Sequence, residues 1–415
     1  MKKIKTLQCI KCGKDYDIDE IEYTCSSCGG NLQVLYDYNL IKKRFSYEEL
    51  KENKHFDIWR YVDLLPISDL KDIPNLQIGY TPLYKEKKLA EKFDIEELYI
   101  KDDGRNPSAS FKDRASAIVT ARAIERERKI ICAASTGNAA SSLACITANL
   151  DIKTIIFVPE KAPEAKIAQL LIYGAYVIKV KGNYDAAFDL CVKASQEFGW
   201  YNRNTGYNPF TREGKKTCSF EICEQLEWET PDWIFVPVGD GNIISGVWKG
   251  FLEFRKIGFI EKLPKLMAIQ AEKSDAVKRA FESNGEVKAV SGITIADSIS
   301  VSIPRDGLAA VMAIKDSGGK AISVSDNEIL QAIPELARDT GVFAEPAAAS
   351  VYAGFKKAIA SKIIEKNETV LLLITGNGLK DIQSAMKTVK QPYIIKPELN
   401  AVKDIVRELK LDENQ

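Results

Sequence analysis

The run Asn-Pro-Ser-Ala-Ser-Phe-Lys-Asp-Arg occupies residues 106–114 and places Lys112 where a helix is predicted to begin. The Asn-Pro pair favours a turn, and the small hydroxyl residues after it favour a helix start. Because the N-terminal end of a helix disfavours positive charge, the pKa of a lysine at this position is lowered. A lysine with a lowered pKa suits Schiff-base chemistry. For this run alone, the alternative interpretation is a solvated Lys-Asp-Arg face of an amphipathic helix.

Apolar, β-rich segments alternate with helical segments on both sides of this run. The predicted strands cover residues 98–100, 129–134, 154–158, 176–180, 233–238, 266–270 and 370–375. The predicted helices between them include residues 138–150, 164–173, 184–198 and 327–339. Strands that alternate with helices predict an α/β fold built on parallel sheets with helices on both faces. Ligands of such sheets bind beyond the carboxyl ends of the strands.

The overall composition is that of a globular protein without a strong charge bias. The chain has 415 residues, of which 45% are hydrophobic and 28% charged, so we expect two or three structural units. The formal net charge of +0 argues against nucleic acid or an anionic membrane as a partner. The first residues lack the apolar core of a signal peptide, and no long apolar run predicts a membrane span, so we expect a cytoplasmic protein.

The chain contains a single histidine, His55, which lies in a polar N-terminal segment. Its isolation argues against histidine-based catalytic triads and histidine-rich catalytic metal sites. Proton transfer would therefore fall to a lysine, a carboxylate, a tyrosine or a cofactor.

Two close cysteine pairs, Cys9 with Cys12 and Cys25 with Cys28, are separated by 12 residues and each pair is followed by glycine. This spacing predicts two knuckles that complete a tetrahedral four-thiolate zinc site. With four protein ligands no coordination position is open, so the zinc would be structural. We expect residues 1–40 to form this separate module. A metal-free hairpin and a nucleic-acid-binding ribbon are the alternatives, and the neutral net charge weighs against the second.

Three strand-to-helix turns combine glycine with polar residues. Residues 132–140 read Cys-Ala-Ala-Ser-Thr-Gly-Asn-Ala-Ala and predict an anion site at a helix start that suits a carboxylate. Residues 236–243 form a glycine-rich turn of the kind that cradles phosphate, with the side chain of Asp240 expected to turn away. Residues 371–381 place the hydroxyl of Thr375 at a strand end, where it suits a neutral pyridine nitrogen. A reactive lysine with these three turns predicts a pyridoxal phosphate site.

These motifs resemble those of the threonine synthase family, within the fold type II group of pyridoxal-phosphate-dependent enzymes. The resemblance extends from the four-cysteine ribbon to residue 381. The matching motifs are Ser-Phe-Lys-Asp-Arg at 110–114, Ser-Thr-Gly-Asn at 135–138, Glu-Gly-x-Lys-Thr at 213–217, Glu-Pro-Ala at 345–347 and Thr-Gly-x-Gly-Leu-Lys-Asp at 375–381.

The resemblance implies two three-layer αβα domains with the cofactor in the cleft between them, and a homodimer. A small α/β domain would cover residues 116–224. A large cofactor-binding domain would cover residues 41–115 and 225–390. The four-cysteine module (1–40) and a C-terminal tail (391–415) would flank them.

The resemblance also implies roles for individual residues. Lys112 would carry the cofactor as a Schiff base and act as general base, Asn138 would bind the ring hydroxyl, and Thr375 would face the pyridine nitrogen. The cofactor phosphate would lie on a loop made of Gly239, Asp240, Gly241, Asn242 and Ile243. The substrate carboxylate would lie on the backbone of Ser135, Thr136 and Gly137.

The reaction implied by the resemblance is that of a lyase, which converts O-phosphohomoserine and water to threonine and phosphate. Related reactions stay open as alternatives. One is β-replacement on O-phosphoserine, as in a cysteate synthase, and another is a serine or threonine ammonia-lyase. A zinc-ribbon binding protein with a degenerate enzyme domain is a further alternative.

The chain departs from the family where the substrate's phosphate is bound. Gly206 stands in place of a serine, and Thr211 in place of an arginine, within residues 205–214. Loss of such an arginine removes a charge-assisted contact worth about 1.5–3 kcal/mol, enough to change substrate preference. Arg212, one position along, is the candidate substrate contact that would compensate if the backbone shifts.

Overall fold

The computed structural model describes residues 3–20, 23–71 and 73–411. The strands in chain order are β1 (Ile4–Cys9), β2 (Asp15–Tyr16), β3 (Leu32–Tyr36), β4 (Leu83–Lys85), β5 (Glu97–Asp102), β6 (Ile130–Ala134), β7 (Lys153–Pro159), β8 (Tyr176–Val180), β9 (Tyr201–Asn202), β10 (Trp233–Pro237), β11 (Lys265–Ala271), β12 (Lys320–Val324) and β13 (Thr369–Ile374).

The helices separate most of these strands, as the sequence pattern predicts. In chain order they are α1 (Tyr38–Lys42), α2 (Tyr47–Glu52), α3 (Lys87–Phe93), α4 (Lys112–Glu125), α5 (Asn138–Thr147), α6 (Glu164–Ile172), α7 (Tyr184–Phe198), α8 (Phe210–Lys215), α9 (Thr217–Gln225), α10 (Asn242–Ile257), α11 (Ala276–Ser283), α12 (Gly307–Asp316), α13 (Asp326–Thr340), α14 (Pro346–Ala360), α15 (Ile382–Met386) and α16 (Leu399–Glu408). No helix in the described ranges combines the length and the apolar character that crossing a lipid bilayer requires.

The larger sheet has six strands in the order β12-β11-β10-β13-β5-β4. β4 is antiparallel to β5, and the other neighbouring pairs are parallel. Successive residues of β10 enter two different apolar cores, with Ile234 on one face of the sheet and Phe235 on the other. α10 contributes Phe251 to the first core, and α14 contributes Tyr352 to the second. Helices therefore cover both faces of this sheet.

The smaller sheet has four parallel strands in the order β8-β7-β6-β9. It shows the same alternation, because Ile131 and Cys132 of β6 enter different cores. α5 contributes Leu143 to the core of Ile131, and α7 contributes Phe188 to the core of Cys132. Helices thus cover both faces of each of these two sheets, as the sequence predicted.

One continuous core joins the two sheets. Ile131 of the smaller sheet and Ile234 of the larger one belong to it, together with Ile118 of α4 and Phe220 of α9. The strands of the smaller sheet lie within residues 116–224. Exact domain boundaries at these residues stay a prediction.

The N-terminal module is a small antiparallel sheet in the order β2-β1-β3. It is attached to the rest of the chain by polar contacts. The Tyr36 hydroxyl donates to the Glu213 carboxylate at 2.7 Å. The Asn31 side chain donates to the backbone oxygen of Arg305 at 2.7 Å and to the Asp306 carboxylate at 3.0 Å. The module therefore lies against α8 and the loop before α12.

Candidate functional site

A cavity of about 460 Å³ opens where the carboxyl ends of the two sheets meet. Its volume is in the range of small-ligand and cofactor sites. The lining residues include Lys112, the turn after β6 (residues 135–138), the turn after β10 (residues 239–244) and Thr375. Residues 297–303 and Arg305 also line the cavity. The predicted carboxylate turn, phosphate turn, lysine and threonine are therefore brought together in one cleft.

Lys112 is positioned by pairing of the loop before it with the turn after β13. The backbone N–H of Phe111 donates to the carbonyl oxygen of Thr375 at 2.9 Å, and the N–H of Asn377 donates to the oxygen of Ala109 at 3.1 Å. Two loops that are distant in sequence thus form one backbone-bonded unit. This unit places the predicted reactive lysine beside the predicted partner of the pyridine nitrogen.

The charged neighbours of Lys112 are engaged away from the cleft. The Asp113 carboxylate accepts hydrogen bonds from the backbone N–H of Ser108, at 2.7 Å, and from its hydroxyl. The buried Arg114 guanidinium pairs with Asp103 and Glu221. Of the Lys-Asp-Arg run, only the lysine lines the cleft, so the solvated helix face that was the alternative interpretation does not form.

Burial lowers the pKa of Lys112 to about 8. Glu345 and Asp240 oppose this shift through their negative charges, and Arg203 adds to it. The direction is the expected one, and loss of solvent is its largest cause. A lysine with a pKa near 8 has an appreciable neutral, nucleophilic fraction at neutral pH.

Asn138 is the first residue of α5, and its amide nitrogen donates to both oxygens of Glu345 at 2.8 and 3.0 Å. The same nitrogen donates to the Ser298 hydroxyl at 3.0 Å. Burial raises the pKa of Glu345, whereas the hydrogen bond from Asn138 lowers it. The Glu-Pro-Ala motif was recognised in the sequence, but no function was predicted for Glu345. The structure places this residue at the edge of the site.

The turn after β10 has the geometry of an anion site. Gly241 has a φ of 88°, and α10 begins at the next residue, Asn242. An added Cβ at Gly241 would lie 2.8 Å from the backbone oxygen of Asp306, so only glycine fits. Backbone N–H groups at such a helix start attract a phosphate. The Asp240 carboxylate accepts a hydrogen bond from the Arg305 N–H at 3.1 Å, which holds it to the facing loop.

The turn after β6 precedes the N-terminus of α5 in the same way. Gly137 is the residue before the helix, and its N–H donates to the Ser135 hydroxyl at 3.1 Å. Ser135, Thr136 and Gly137 all line the cleft. Their predicted role, binding of a substrate carboxylate, is compatible with this position and stays a prediction.

Arg212 is not among the residues that line the cleft. Its Nη2 donates to both oxygens of Asp306 at 2.6 and 2.7 Å, and its Nε donates to Ser245 at 3.1 Å. This placement corrects the expectation that Arg212 contacts the substrate, because its guanidinium is bound by the buried Asp306 carboxylate.

Two other cations, Arg203 and Lys215, line the cleft and were missed in the sequence. The Lys215 amine donates to the Asn242 side-chain oxygen at 2.6 Å. Burial, with the positive charges of Lys112 and Arg203, lowers the pKa of Lys215. Lys215 occupies the variable position of the Glu-Gly-x-Lys-Thr motif, and this motif could have identified it from the sequence. Arg203 belongs to no recognised motif.

The four cysteines of the N-terminal module form a compact cluster, with all sulfur atoms within 4.8 Å of one another. The Cys9 and Cys28 sulfurs are 3.5 Å apart, and those of Cys12 and Cys25 are 3.6 Å apart. Tetrahedral zinc with Zn–S bonds of about 2.3 Å sets sulfur separations of about 3.8 Å. The two shortest sulfur separations are thus close to those of a tetrahedral zinc site.

Comparison with known proteins gives consistent matches. A family model described as pyridoxal-phosphate dependent enzyme matches residues 75–376. Threonine synthase from Methanocaldococcus jannaschii is 43% identical over 405 residues, which is 97% of this chain and 99% of the relative. Threonine synthase from Methanosarcina acetivorans is 38% identical over 403 residues, or 96% and 98% of the two chains. Threonine deaminase isoform 2 from Solanum lycopersicum, 22% identical, superposes with a TM-score of 0.65 over 74% of this chain and 87% of that chain, which shows a shared fold.

Proposed function

The chain belongs to the threonine synthase family of pyridoxal-phosphate-dependent enzymes, and we propose that it converts O-phosphohomoserine and water to threonine and phosphate. The observation that carries this proposal is the 43% identity to a threonine synthase over 97% of the chain. The cleft is consistent with it, because a reactive lysine, two helix-start anion sites and a neutral hydroxyl converge there.

The residues of the cleft fit pyridoxal phosphate. Lys112 provides an amine with a lowered pKa for covalent attachment of the aldehyde. The turn at Gly241 and the start of α10 provide backbone donors for the phosphate. Thr375, buried at the end of β13, provides a hydroxyl that suits a neutral ring nitrogen. When bound, the cofactor supplies an electron sink for bond cleavage next to the amino group.

We assign the proton transfers to Lys112. The reaction moves protons at the α, β and γ carbons of the substrate, so a base inside the cleft is required. His55 is exposed and is not among the residues that line the cleft. The Lys112 amine, with a pKa of about 8, accepts and returns protons near neutral pH. Asn138 and the backbone of Ser135–Gly137 would orient the ring hydroxyl and the substrate carboxylate.

We propose that the four-cysteine cluster binds structural zinc and that the protein is a homodimer. The sulfur separations support the first proposal. Exposed apolar side chains of the C-terminal segment, such as Ile394 and Leu399, support the second, because an interface between copies would cover them. Sedimentation and metal analysis of the purified protein test these two points.

A product assay tests the reaction. The purified protein is loaded with pyridoxal phosphate and incubated with O-phosphohomoserine, with O-phosphoserine plus sulfite, and with threonine or serine. We expect equal amounts of phosphate and threonine from the first mixture. Phosphate with a sulfonated amino acid from the second would indicate β-replacement, and ammonia from the third would indicate an ammonia-lyase. A colourless protein without cofactor would indicate a degenerate enzyme domain.

A further inference from the structure

Arg203 and Lys215 are buried cations that lack a carboxylate partner among the described residues. Arg203 is 1% exposed and Lys215 is 0% exposed. The other buried cations nearby differ: Arg114 pairs with Asp103, and Lys216 pairs with Glu213. A buried charge costs several kcal/mol unless an opposite charge compensates it. Both side chains line the cleft, so an anionic ligand there would compensate the charge of Arg203 and would favour the protonated form of Lys215.

Arg203 lies on the side of the smaller sheet. It directly follows β9, and its backbone N–H donates to the Cys132 oxygen at 2.8 Å, which continues the pairing with β6. Its Nε donates to Ser116 at 3.3 Å and its Nη1 to Thr205 at 2.8 Å. Ser116 lies one turn after Lys112 on α4. The guanidinium is therefore next to the reactive lysine, on the side of the turn proposed for the substrate carboxylate.

One nitrogen of this guanidinium, Nη2, is buried and has no hydrogen-bond partner in the described part of the chain. An arginine is always charged and presents donors in a planar fork. A buried donor left without an acceptor costs about 1–3 kcal/mol. If the guanidinium turns toward the cleft, a phosphate oxygen there would satisfy it with a charge-assisted hydrogen bond.

Lys215 lies beside the turn that is proposed to bind the cofactor phosphate. Its amine contacts the side-chain oxygen of Asn242, the first residue of α10 and the end of the glycine turn. The Asn242 amide in turn donates to Asp306 at 2.7 Å, which fixes its orientation. Lys215 is thus aimed at the turn proposed for the cofactor phosphate rather than at the substrate side.

The remaining cations of the region are already bound by other groups. Arg305 pairs with Asp185 at 2.9 Å on the rim, and Arg212 is bound by Asp306. The Lys380 amine donates to the Ser108 oxygen at 2.9 Å and to the Ser141 hydroxyl at 3.0 Å. Arg203 alone combines a position beside Lys112 with a free guanidinium donor in the described chain.

We propose that Arg203 binds the phosphate group of the substrate and that Lys215 binds the phosphate of the cofactor. This assignment rests on the proposed function, since it requires both phosphates in the cleft. Arg203 then supplies, from a different loop, the guanidinium that Thr211 does not provide. Charge on the phosphate increases as its bond to the substrate breaks, so Arg203 contributes to catalysis as well as to binding.

The test compares matched variants, Arg203→Met and Lys215→Met, with Arg203→Lys and Arg203→Gln as milder changes. For Arg203→Met we expect KM for O-phosphohomoserine to rise on the order of 10- to 100-fold, with cofactor affinity nearly unchanged. For Lys215→Met we expect a similar rise in the dissociation constant of pyridoxal phosphate, measured by absorbance titration of the apoprotein. Equal losses of cofactor affinity in both variants, or an unchanged KM in Arg203→Met, would overturn the assignment.

A second readout separates this assignment from the proposed reaction. Inorganic phosphate is titrated into the cofactor-loaded protein, and binding is followed by the change in cofactor absorbance. We expect Arg203→Met, and Arg203→Gln if the first variant does not fold, to lose this response while Lys215→Met retains it at saturating cofactor. A wild-type protein that releases no phosphate from O-phosphohomoserine would remove the proposed function, whereas phosphate binding that persists without Arg203 would remove the proposed site.

Discussion

The carboxylate of Glu345 occupies the space beside Gly376 that a Cβ atom would fill, and the Glu345 N–H donates to the Gly376 oxygen at 3.1 Å. Glu345 also accepts from Asn138, so one buried carboxylate connects the turn after β13 to the start of α5. These elements belong to different sheets. The contact therefore fixes the two sides of the cleft relative to each other at the position proposed for the cofactor ring.

We expect Gly376→Ala to displace Glu345 and, with it, Asn138 and the turn of Thr375. Overpacking of this kind costs about 1–3 kcal/mol of the free energy of unfolding. Because the displaced groups surround the proposed ring site, the dissociation constant of pyridoxal phosphate should rise about 10-fold or more. Urea unfolding and absorbance titration measure the two effects. Gly285→Ala is the control, because an added Cβ there meets only the flexible side chain of Ser283. Equal stability and equal cofactor affinity of the two variants would contradict the proposed role of the contact between Gly376 and Glu345.

Replacement of the reactive lysine gives the most direct test of the site. Lys112→Ala should abolish threonine formation and leave the circular dichroism spectrum unchanged, because its loss removes the covalent attachment and the base but little packing. Reduction of the cofactor-loaded wild type with borohydride should attach the cofactor to the peptide that contains Lys112. Lys161→Ala, at an exposed position, should behave as wild type in both assays. Full activity in Lys112→Ala would exclude the lysine from the mechanism.

The lowered pKa of Lys112 predicts how cofactor capture depends on pH. The neutral amine reacts with the aldehyde, so the rate at which the apoprotein binds pyridoxal phosphate should rise with pH around a midpoint of about 8. Glu345, Asp240, Arg203 and Lys215 are the charged groups that face this amine. Because Arg203 lowers the pKa of Lys112, Arg203→Met should move the midpoint upward. Stopped-flow absorbance over a series of buffers measures it, and a midpoint near the ordinary lysine value of about 10.4 would contradict the burial argument.

Much of this site could be predicted because parallel sheets place their strand ends together. The turns after β6, β10 and β13 were each recognised from glycine beside polar residues, and the sheet order brings them to one cleft. The edge strand β12 was missed, since its buried and less buried residues alternate and leave no continuous apolar run. β9 was missed because it has only two residues.

The sequence could not predict which cations face the cleft. Thr211 and Lys215 are four residues apart on α8, so they share one face, and both donate to Asn242. Arg212 is rotated by roughly 100° from Thr211 and meets Asp306 instead. The direction in which each side chain of α8 points depends on how this helix packs between the N-terminal module and α10. No local sequence pattern predicts that packing. Arg203 follows the short β9, and its place beside Lys112 arises only from the pairing of β9 with β6.

Metal removal tests the four-cysteine cluster. We expect a strong chelator to release zinc and to increase proteolysis and hydrogen exchange in residues 1–40, while cofactor absorbance persists because no described residue of this module lines the cleft. Cys12→Ser should lower the zinc content in the same way. Cys145→Ser, which removes a buried thiol of α5 outside the cluster, should keep the full zinc content. Immediate loss of catalysis on chelation, with the cofactor still bound, would show that the metal is not merely structural.

The buried Asp306 carboxylate connects three parts of the structure. It accepts hydrogen bonds from Arg212, from Asn242 at the phosphate turn and from Asn31 of the N-terminal module. Asp306→Asn would leave the buried Arg212 without its counter-charge, and breaking a buried pair in this way costs about 3–5 kcal/mol of the free energy of unfolding. Asp404→Asn breaks the exposed pair with Arg407 and should cost less than about 1 kcal/mol. Because Asn242 loses its orienting partner, cofactor affinity should fall in Asp306→Asn even under conditions where the protein is fully folded. Urea unfolding and cofactor titration together check this, and a variant as stable as Asp404→Asn would show that the network does not support the phosphate turn.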